Sequence, residues 1–480
     1  MGDKPYERCH QPHVKAAMEA IEGRQGRAMM SNDAVREMIH IVEQFLRRKK
    51  LICYGGTAIN NILPKRLQFY DTDLELPDYD FFSPDPVADA KELAKIYAKK
   101  GYPDVVASSG VHGGTFKVHV NYVPVADITY LDARLYKGIS GHTKIIDGIH
   151  YTPPVYLRML MHLELSRPDG DISRWDKVAS RLALLNSVYP MKEPGCTARV
   201  RDKLDDQYRS MVDALPGLLP KVREFLADKG VVFCGAFAAR EINHDLKKKR
   251  LPLVTGPVPL VVLAKEPKEV TKDLKRRIAA ERFKVHYDEV PAVGELVPKH
   301  YAVYAEGKLV AIVFEALECH AMNVVKIEGK SYRIGSIDTI LTLFLPFVFV
   351  ASRVLDYDTI VCYCNDLAEV ADHCNPSERG TLTRFDTECY GDQTTLADIR
   401  RAKNRRFKRL QGKKDNESRQ EREYYFMRYE PTAPRKVLKM EVSTQTAGKR
   451  KTKTRRRRAG LRSGSRGGTR RAQCSLLTVH

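Results

Sequence analysis

Asp78 and Asp80 stand two apart in PDYDFFS (77–83), and Asp127 lies in VPVADITYLD (123–132). Carboxylates are hard oxygen donors that suit Mg²⁺ or Mn²⁺. In an extended strand, residues two apart face the same side. Asp78 and Asp80 can then aim at one spot while Tyr79 and Phe81 turn into the core. A third acid from a neighbouring strand completes an oxygen cage of the kind that serves two-metal phosphoryl transfer. The flanks are apolar, so these acids belong to semi-buried strands, where unpaired charge is costly. Upstream, Gly55-Gly56-Thr57 in LICYGGTAINNIL (51–63) offers a turn whose backbone N–H groups a phosphate can approach. A solvated or salt-bridged acidic face explains the aspartates alone, whereas metal-dependent phosphoryl transfer explains them together with the turn.

The elements that must hold these groups are legible around them. Ala34, Val35, Met38, Ile39, Ile41, Val42, Phe45 and Leu46 form one apolar stripe, which predicts a helix over 33–48 with N-cap candidates Ser31, Asn32 and Asp33. A strand over LICY, a short helix over 57–63 and an irregular segment over 64–76 follow. Next come the Asp-x-Asp strand, a helix over 86–100, and strands near 115–122 and 123–131. The order describes a small mixed sheet backed by helices, an α+β domain.

A second segment repeats that order. FLADKGVVFCGAFAAREI (225–242) lines up with FLRRKKLICYGGTAINNIL (45–63), and PLVVLAKEPKEVTKDLKRRI (259–278) with PDYDFFSPDPVADAKELAKI (77–96). KLVAIVFEALECH (308–320) lines up loosely with KVHVNYVPVADITYL (117–131). In this copy the Asp-x-Asp has become apolar, Ala236 replaces the second glycine, and Asp127 has no sure equivalent. The expected parts are an N-terminal helical segment (1–50), a catalytic domain (51–150) and a helical connection (151–215). After them come a degenerate copy (216–350), a basic region (351–441) and a disordered Lys/Arg-rich tail (442–480).

The chain has 480 residues and a net charge of +21. Residues 442–480 carry 12 Lys/Arg and no acid, so the other 441 residues still carry 21 − 12 = +9. A folded part with that excess suits a polyanion. TLFLPFVFVA (342–351) is short and holds Pro346, so it reads as a buried element, not a membrane span. Ten cysteines are scattered. Cys362, Cys364, Cys374 and Cys389 lack paired C-x2-C knuckles, so reduced, isolated thiols are preferred to zinc ligands or disulfides.

The pattern Gly-Gly … Asp-x-Asp … Asp resembles that of the polymerase-beta-like nucleotidyltransferases. YGGTAINNILP (54–64), LPDYDFFSPD (76–85), ADITYLD (126–132) and IDGIHYTPPVYLRMLMHLELSRPDGDISRWDKV (146–178) resemble more closely the poly(A) polymerase catalytic subunits of large nucleocytoplasmic DNA viruses. The resemblance implies transfer of AMP from ATP to an RNA 3′-hydroxyl. Asp78, Asp80 and Asp127 would be catalytic and hold two Mg²⁺ or Mn²⁺ ions. Gly55, Gly56 and Thr57 would contact the phosphates, with Lys144 and Tyr151 as further candidates for phosphate or adenine. It also implies a homodimer or a separate processivity subunit. The implied place is inside the host cell, in cytoplasm, viral factory or virion, with the nucleus left open by KRKTKTRRRR (449–458).

Softer candidates are Gly113, Gly114, Thr115 and Lys117 before the third-acid strand, and Ser166, Arg167, Arg174, Trp175, Lys177 and Arg181. A hairpin turn explains the first group equally well, and core packing explains Trp175. Two alternatives stand beside a template-independent poly(A) polymerase. One is an oligoadenylate or cyclic-dinucleotide synthase of the same fold. The other is a non-catalytic RNA-binding or processivity protein.

Overall fold

The computed structural model describes residues 10–71, 74, 76–192, 194–245, 259–372 and 384–432. The Asn32 side chain accepts a hydrogen bond from the Ala34 N–H at 2.9 Å and starts helix Asp33–Lys49. Its stripe buries Val35, Met38, Ile41, Val42, Phe45 and Leu46. Asp85 caps helix Pro86–Lys99 by accepting from the Ala88 N–H at 3.2 Å. The helix after the glycines runs Gly55–Ile62, two residues earlier than the sequence suggests.

Seven strands come from the first half of the chain: β1 (Ile52–Cys53), β2 (Asp80–Ser83), β3 (Val105–Ser109), β4 (Thr115–Val120), β5 (Val123–Tyr130), β6 (Lys144–Ile146) and β7 (Ile149–Tyr151). Nine follow: β8 (Val232–Phe233), β9 (Leu260–Ala264), β10 (Val285–Val290), β11 (His300–Ala305), β12 (Lys308–Glu315), β13 (His320–Ile327), β14 (Lys330–Gly335), β15 (Cys389–Tyr390) and β16 (Arg428–Tyr429). They form two mixed sheets, ordered β16-β3-β4-β5-β2-β1-β7-β6 and β10-β11-β12-β9-β8-β14-β13-β15. With β15 and β16 set aside, the two orders are the same. Each inner ladder also keeps its sense: β2–β5 and β9–β12 are parallel, β1–β7 and β8–β14 are parallel, and the rest are antiparallel. The second lobe repeats the topology of the first. The segment expected as a separate basic region instead returns to both sheets, adding β15 to one edge and β16 to the other.

The ladders correct the alignment of the copies. Ile52 faces Phe82, and Val232 faces Leu263. Asp80, two residues before Phe82, therefore corresponds to Val261, and Asp78 to Pro259, one position off the sequence alignment. The helices agree, since Pro86 and Pro267 each lie six residues beyond Asp80 and Val261. Asp127 faces Asp80 while Ile312 faces Val261, so Asp127 does have an equivalent, Ile312. KLVAIVFE is thus the partner of VPVADITY, not of the strand before it. All five residues of β9 are buried. A strand covered on both faces has no alternation to fix its register.

One apolar cluster spans both lobes, while a second, built around Phe45, Phe81, Leu93 and Phe116, fills the first lobe alone. Ile52, Phe82, Tyr156 and Met159 pack in the same cluster as Phe233, Ile312 and Phe344. Helix Pro154–Leu165 lies against helix Ile337–Phe344. Between them His162 Nδ1 meets Asp338 Oδ1 at 2.7 Å, and Arg384 grips the same carboxylate at 2.8 and 2.9 Å. Burial alone would raise the Asp338 carboxyl, but Arg384 and His162 hold it down at about 2. Residues 342–348 of the stretch 342–351 fall in that helix and the turn Leu345–Val348. Among the described residues no helix is long and apolar enough to cross a membrane.

The cysteine reading is overturned. Cys196 pairs with Cys362, and Cys319 with Cys389, at Cα separations of 4.8 and 5.3 Å. Among the described residues Cys53, Cys234 and Cys364 stay as buried thiols. Cys362 and Cys389 belong to different pairs, and Cys374 lies outside the described residues, as does the tail from 433. The fold brings together cysteines 166 and 70 positions apart, which spacing could not show.

Candidate active site

Asp80 opens β2, and Asp127 is its direct partner on the parallel strand β5. Register partners project on one face, so both carboxylates stand on the same face of the sheet, and Asp80 lines the cleft that opens beside them. Asp78 lies just before the strand and is not extended with it. The Asp80 N–H bonds back to the Asp78 carbonyl at 3.2 Å, and the Asp127 N–H donates to the Tyr79 carbonyl at 3.1 Å. The pleat argument for Asp78 therefore fails, although a tight backbone turn carries its carboxyl to the same charge cluster. Tyr79 and Phe81 are buried as predicted.

The cluster is electrostatically strained. Burial first, then the charges of Asp78 and Asp127, push the Asp80 carboxyl up to about 7. Partial burial and then Asp127 also raise Asp78. Lys117, the β4 residue facing Asp127, forms an ion pair with that carboxylate.

The glycine turn touches the acids directly. Gly55 has φ +73°, and a Cβ there would lie 2.7 Å from Asp80 Oδ2. A Cβ on Gly56 would press on the Tyr70 hydroxyl and the Arg181 guanidinium. The backbone N–H groups of Gly55, Gly56 and Thr57 lie in the first turn of their helix, the usual seat for an anion. The Thr57 side chain is buried, and its hydroxyl donates to the Asp78 carbonyl at 2.6 Å. That bond ties the helix start to the acidic turn.

The cleft beside the acids measures about 460 Å³, a volume in the range of small-ligand sites. Tyr54, Gly55, Gly56 and Asp80 line one side, and Leu157, Leu160, Met161, Arg167, Arg174 and Arg181 the other. Arg174 pairs with Glu164 at 3.1 Å, and Arg181 donates to the Tyr70 hydroxyl at 2.8 Å. Tyr54 stacks on Phe82 with centroids 4.0 Å apart. One wall thus presents guanidinium groups to an anion while the apolar rows suit a flat ring.

Lys144 and Tyr151 are not brought to this cleft. They face each other on β6 and β7, with the Lys144 ammonium 5.5 Å from the Tyr189 ring centroid and the Tyr151 hydroxyl accepting from Asn61 Nδ2 at 2.8 Å. Trp175 is a packing residue whose indole N–H donates to the Glu164 carbonyl at 3.1 Å. Gly113 and Gly114 lie against Tyr425 and Tyr424. The sequence reading missed Tyr54, Tyr70 and the helix face of Leu157, Leu160, Met161 and Glu164. The i, i+3, i+4, i+7 spacing of that face was the available signal.

Residues 40–171 match the family model described as "Poly(A) polymerase catalytic subunit". Two curated proteins named "Putative poly(A) polymerase catalytic subunit" align with this region. The one from Acanthamoeba polyphaga mimivirus is 32% identical over 162 residues, covering 33% of this chain and 27% of that protein. The one from African swine fever virus (strain Badajoz 1971 Vero-adapted) is 34% identical over 164 residues, covering 33% and 34%. The matched part thus spans about a third of the length of these relatives. A solved structure, "Crystal structure of the Megavirus polyadenylate synthase", superposes with a TM-score of 0.65 at 20% identity, covering 90% of this chain and 87% of that one. The α+β fold expected from the sequence and the family resemblance are both borne out.

Proposed function

We propose that this chain is a template-independent poly(A) polymerase that transfers AMP from ATP to the 3′-hydroxyl of an RNA. The observation that carries the reading is the pairing of Asp80 with Asp127 on adjacent parallel strands, close under the Gly55–Gly56 turn and beside Asp78.

The residues fit divalent cations. They are oxygen donors of one sign, crowded until Asp80 is held near neutrality, and a cation relieves that repulsion. Asp78, Asp80 and Asp127 would hold two Mg²⁺ or Mn²⁺ ions, which supply charge neutralisation at the phosphate and acidify the attacking hydroxyl.

The protein's own groups do the rest. The N–H groups of Gly55, Gly56 and Thr57 receive phosphate oxygens at the helix start. Arg174 and Arg181 add fixed positive charge opposite them. Tyr54, Leu157, Leu160 and Met161 border the nucleotide's ring and exclude water. No side chain is needed as a dedicated base. The +9 excess outside the tail gives RNA a sequence-independent attraction. Lys144 and Tyr151, remote from the cleft, would act on substrate only through the strands they support. The second lobe would serve as a structural and RNA-guiding platform, with a second copy of the chain or a processivity subunit as further partner.

The test is an RNA oligonucleotide incubated with each NTP in turn and Mg²⁺ or Mn²⁺, resolved on a gel. ATP alone should lengthen the RNA, and Asp80→Ala should abolish the ladder. Short products formed from ATP without primer would instead identify an oligoadenylate or cyclic-dinucleotide synthase. RNA binding with no extension would identify a non-catalytic protein.

A further inference from the structure

Lys117 is the cation nearest the acids that the proposed chemistry leaves unexplained. Its ammonium forms an ion pair with Asp127 Oδ2, one of the oxygens expected to bind metal. The pairing is built into the sheet, because Lys117 and Asp127 face each other across the β4–β5 ladder. It is also reversible by geometry. The Lys117 side chain keeps 45% of its surface in solvent against 19% for Asp127, so the ammonium can leave while the carboxylate stays. The charge of Lys117 also reaches Asp78 and Asp80, opposing the rise of both.

The second lobe supplies an independent comparison. The same ladders put Val261 at the place of Asp80, Ile312 at that of Asp127 and Ala302 at that of Lys117. All three are buried. Where the acids are gone the lysine is gone too, so the ammonium goes with the acids and not with the fold.

We propose that Lys117 is the resident counter-ion of Asp127, held on the carboxylate in the metal-free protein and displaced from it when a divalent cation binds. The inference rests on the metal-binding reading of the three aspartates. Lys117 is then a positioning residue: it holds Asp127 beside Asp80 and limits acid repulsion until the cation arrives.

The test combines two readouts that do not need turnover. Wild-type protein is acylated with an amine-reactive reagent with and without Mg²⁺, and Lys117 labelling is followed by mass spectrometry, with exposed Lys203 as internal reference. Labelling of Lys117 should rise severalfold with Mg²⁺ while that of Lys203 stays level. In calorimetry, Lys117→Met should bind Mn²⁺ about two- to five-fold tighter than wild type, the upper end set by loss of one half-exposed ion pair. Lys117→Arg, which keeps the charge, should stay within about two-fold of wild type. Mn²⁺ binding that Asp127→Asn weakens, with Lys117 labelling and Lys117→Met affinity unchanged, overturns the counter-ion role alone. Mn²⁺ binding that is absent, or indifferent to Asp127→Asn, overturns the metal site and this role with it.

Discussion

Gly55→Ala is the most discriminating substitution, because one added methyl group acts on both backbone and chemistry. At φ +73° an L-residue sits in the left-handed region, at a cost of about 1–2 kcal/mol. The new Cβ would lie 2.7 Å from Asp80 Oδ2, where ordinary contact begins at 3.4 Å, so the carboxylate must retreat by 3.4 − 2.7 = 0.7 Å. A misplacement of about 1 Å in a reacting constellation costs about 10²-fold in rate. A shift of 0.7 Å should then lower kcat about 30- to 100-fold, or roughly 2–3 kcal/mol of barrier. Gly217 provides the control. It has φ +70° and nothing within 4 Å of its would-be Cβ. Gly217→Ala should lose the same 1–2 kcal/mol of stability and keep its RNA-extension rate. The assay is primer extension under saturating ATP, with thermal or urea unfolding of both variants. If Gly55→Ala extends RNA as fast as Gly217→Ala, the contact between glycine turn and acid does not govern the chemistry.

Other perturbations separate the remaining parts of the site and scaffold. Asp127→Asn should keep the fold and lower RNA extension by at least about three orders of magnitude, measured by single-turnover incorporation. Arg181→Met should raise KM for ATP by about ten-fold with a smaller change in kcat, since it removes one fixed charge from the cleft wall. Asp338→Asn should destabilise by about 3–5 kcal/mol, as Arg384 loses its carboxylate, read from a denaturant midpoint. His320 is buried, and desolvation and then Arg167 hold its pKa at about 3, so it is neutral when folded. The unfolded ring titrates at 6.5, so stability is full above that pH and falls as pH drops towards 3. Between pH 7 and 5 this histidine should remove about 2 kcal/mol, and the stability gap between wild type and His320→Leu should narrow by that amount. A fragment ending near residue 220 should be insoluble or inactive, because Tyr156 and Met159 lose their packing against the second lobe.

What could be read from the chain depended on how local its cause was. The helix of Asp33–Lys49 and the helix of Pro86–Lys99 declare themselves through a cap and an apolar stripe, and both arrive within two residues of expectation. The acids and the glycine turn were legible because their types are rare on apolar strands. Asp78 was misjudged because a backbone bond between neighbours of the strand, not the strand's pleat, sets its direction. Lys144 and Tyr151 flank the start of the block 146–178, which also holds cleft residues, yet the β6–β7 hairpin carries them away from the cleft. Arg167, Arg174 and Arg181 stood among the sequence candidates, and all three line the cleft. The disulfides and the place of β16 depend on contacts between distant segments, which leave no local trace.

The two lobes make an internal experiment on what this sheet needs to form a charged site. Strand order, strand sense and the proline-started helix are the same in both, so the ladder alone does not create a site. At the positions of Asp78, Asp80, Asp127 and Lys117 the second lobe has Pro259, Val261, Ile312 and Ala302. Removing one acid would leave the others still crowded, and removing all acids while keeping the lysine would leave its ammonium unpaired against apolar side chains. The low-energy outcomes are the complete charged set, open to a cation, or none of it, closed over with apolar side chains. The chain contains one of each. Gly235 follows the same logic: its would-be Cβ lies 3.0 Å from the Val261 side chain, where the first lobe has an aspartate beside Gly55. Close packing between turn and strand thus survives the loss of the acids, which makes it a property of the fold. The positive charge beside the acids is a property of the chemistry.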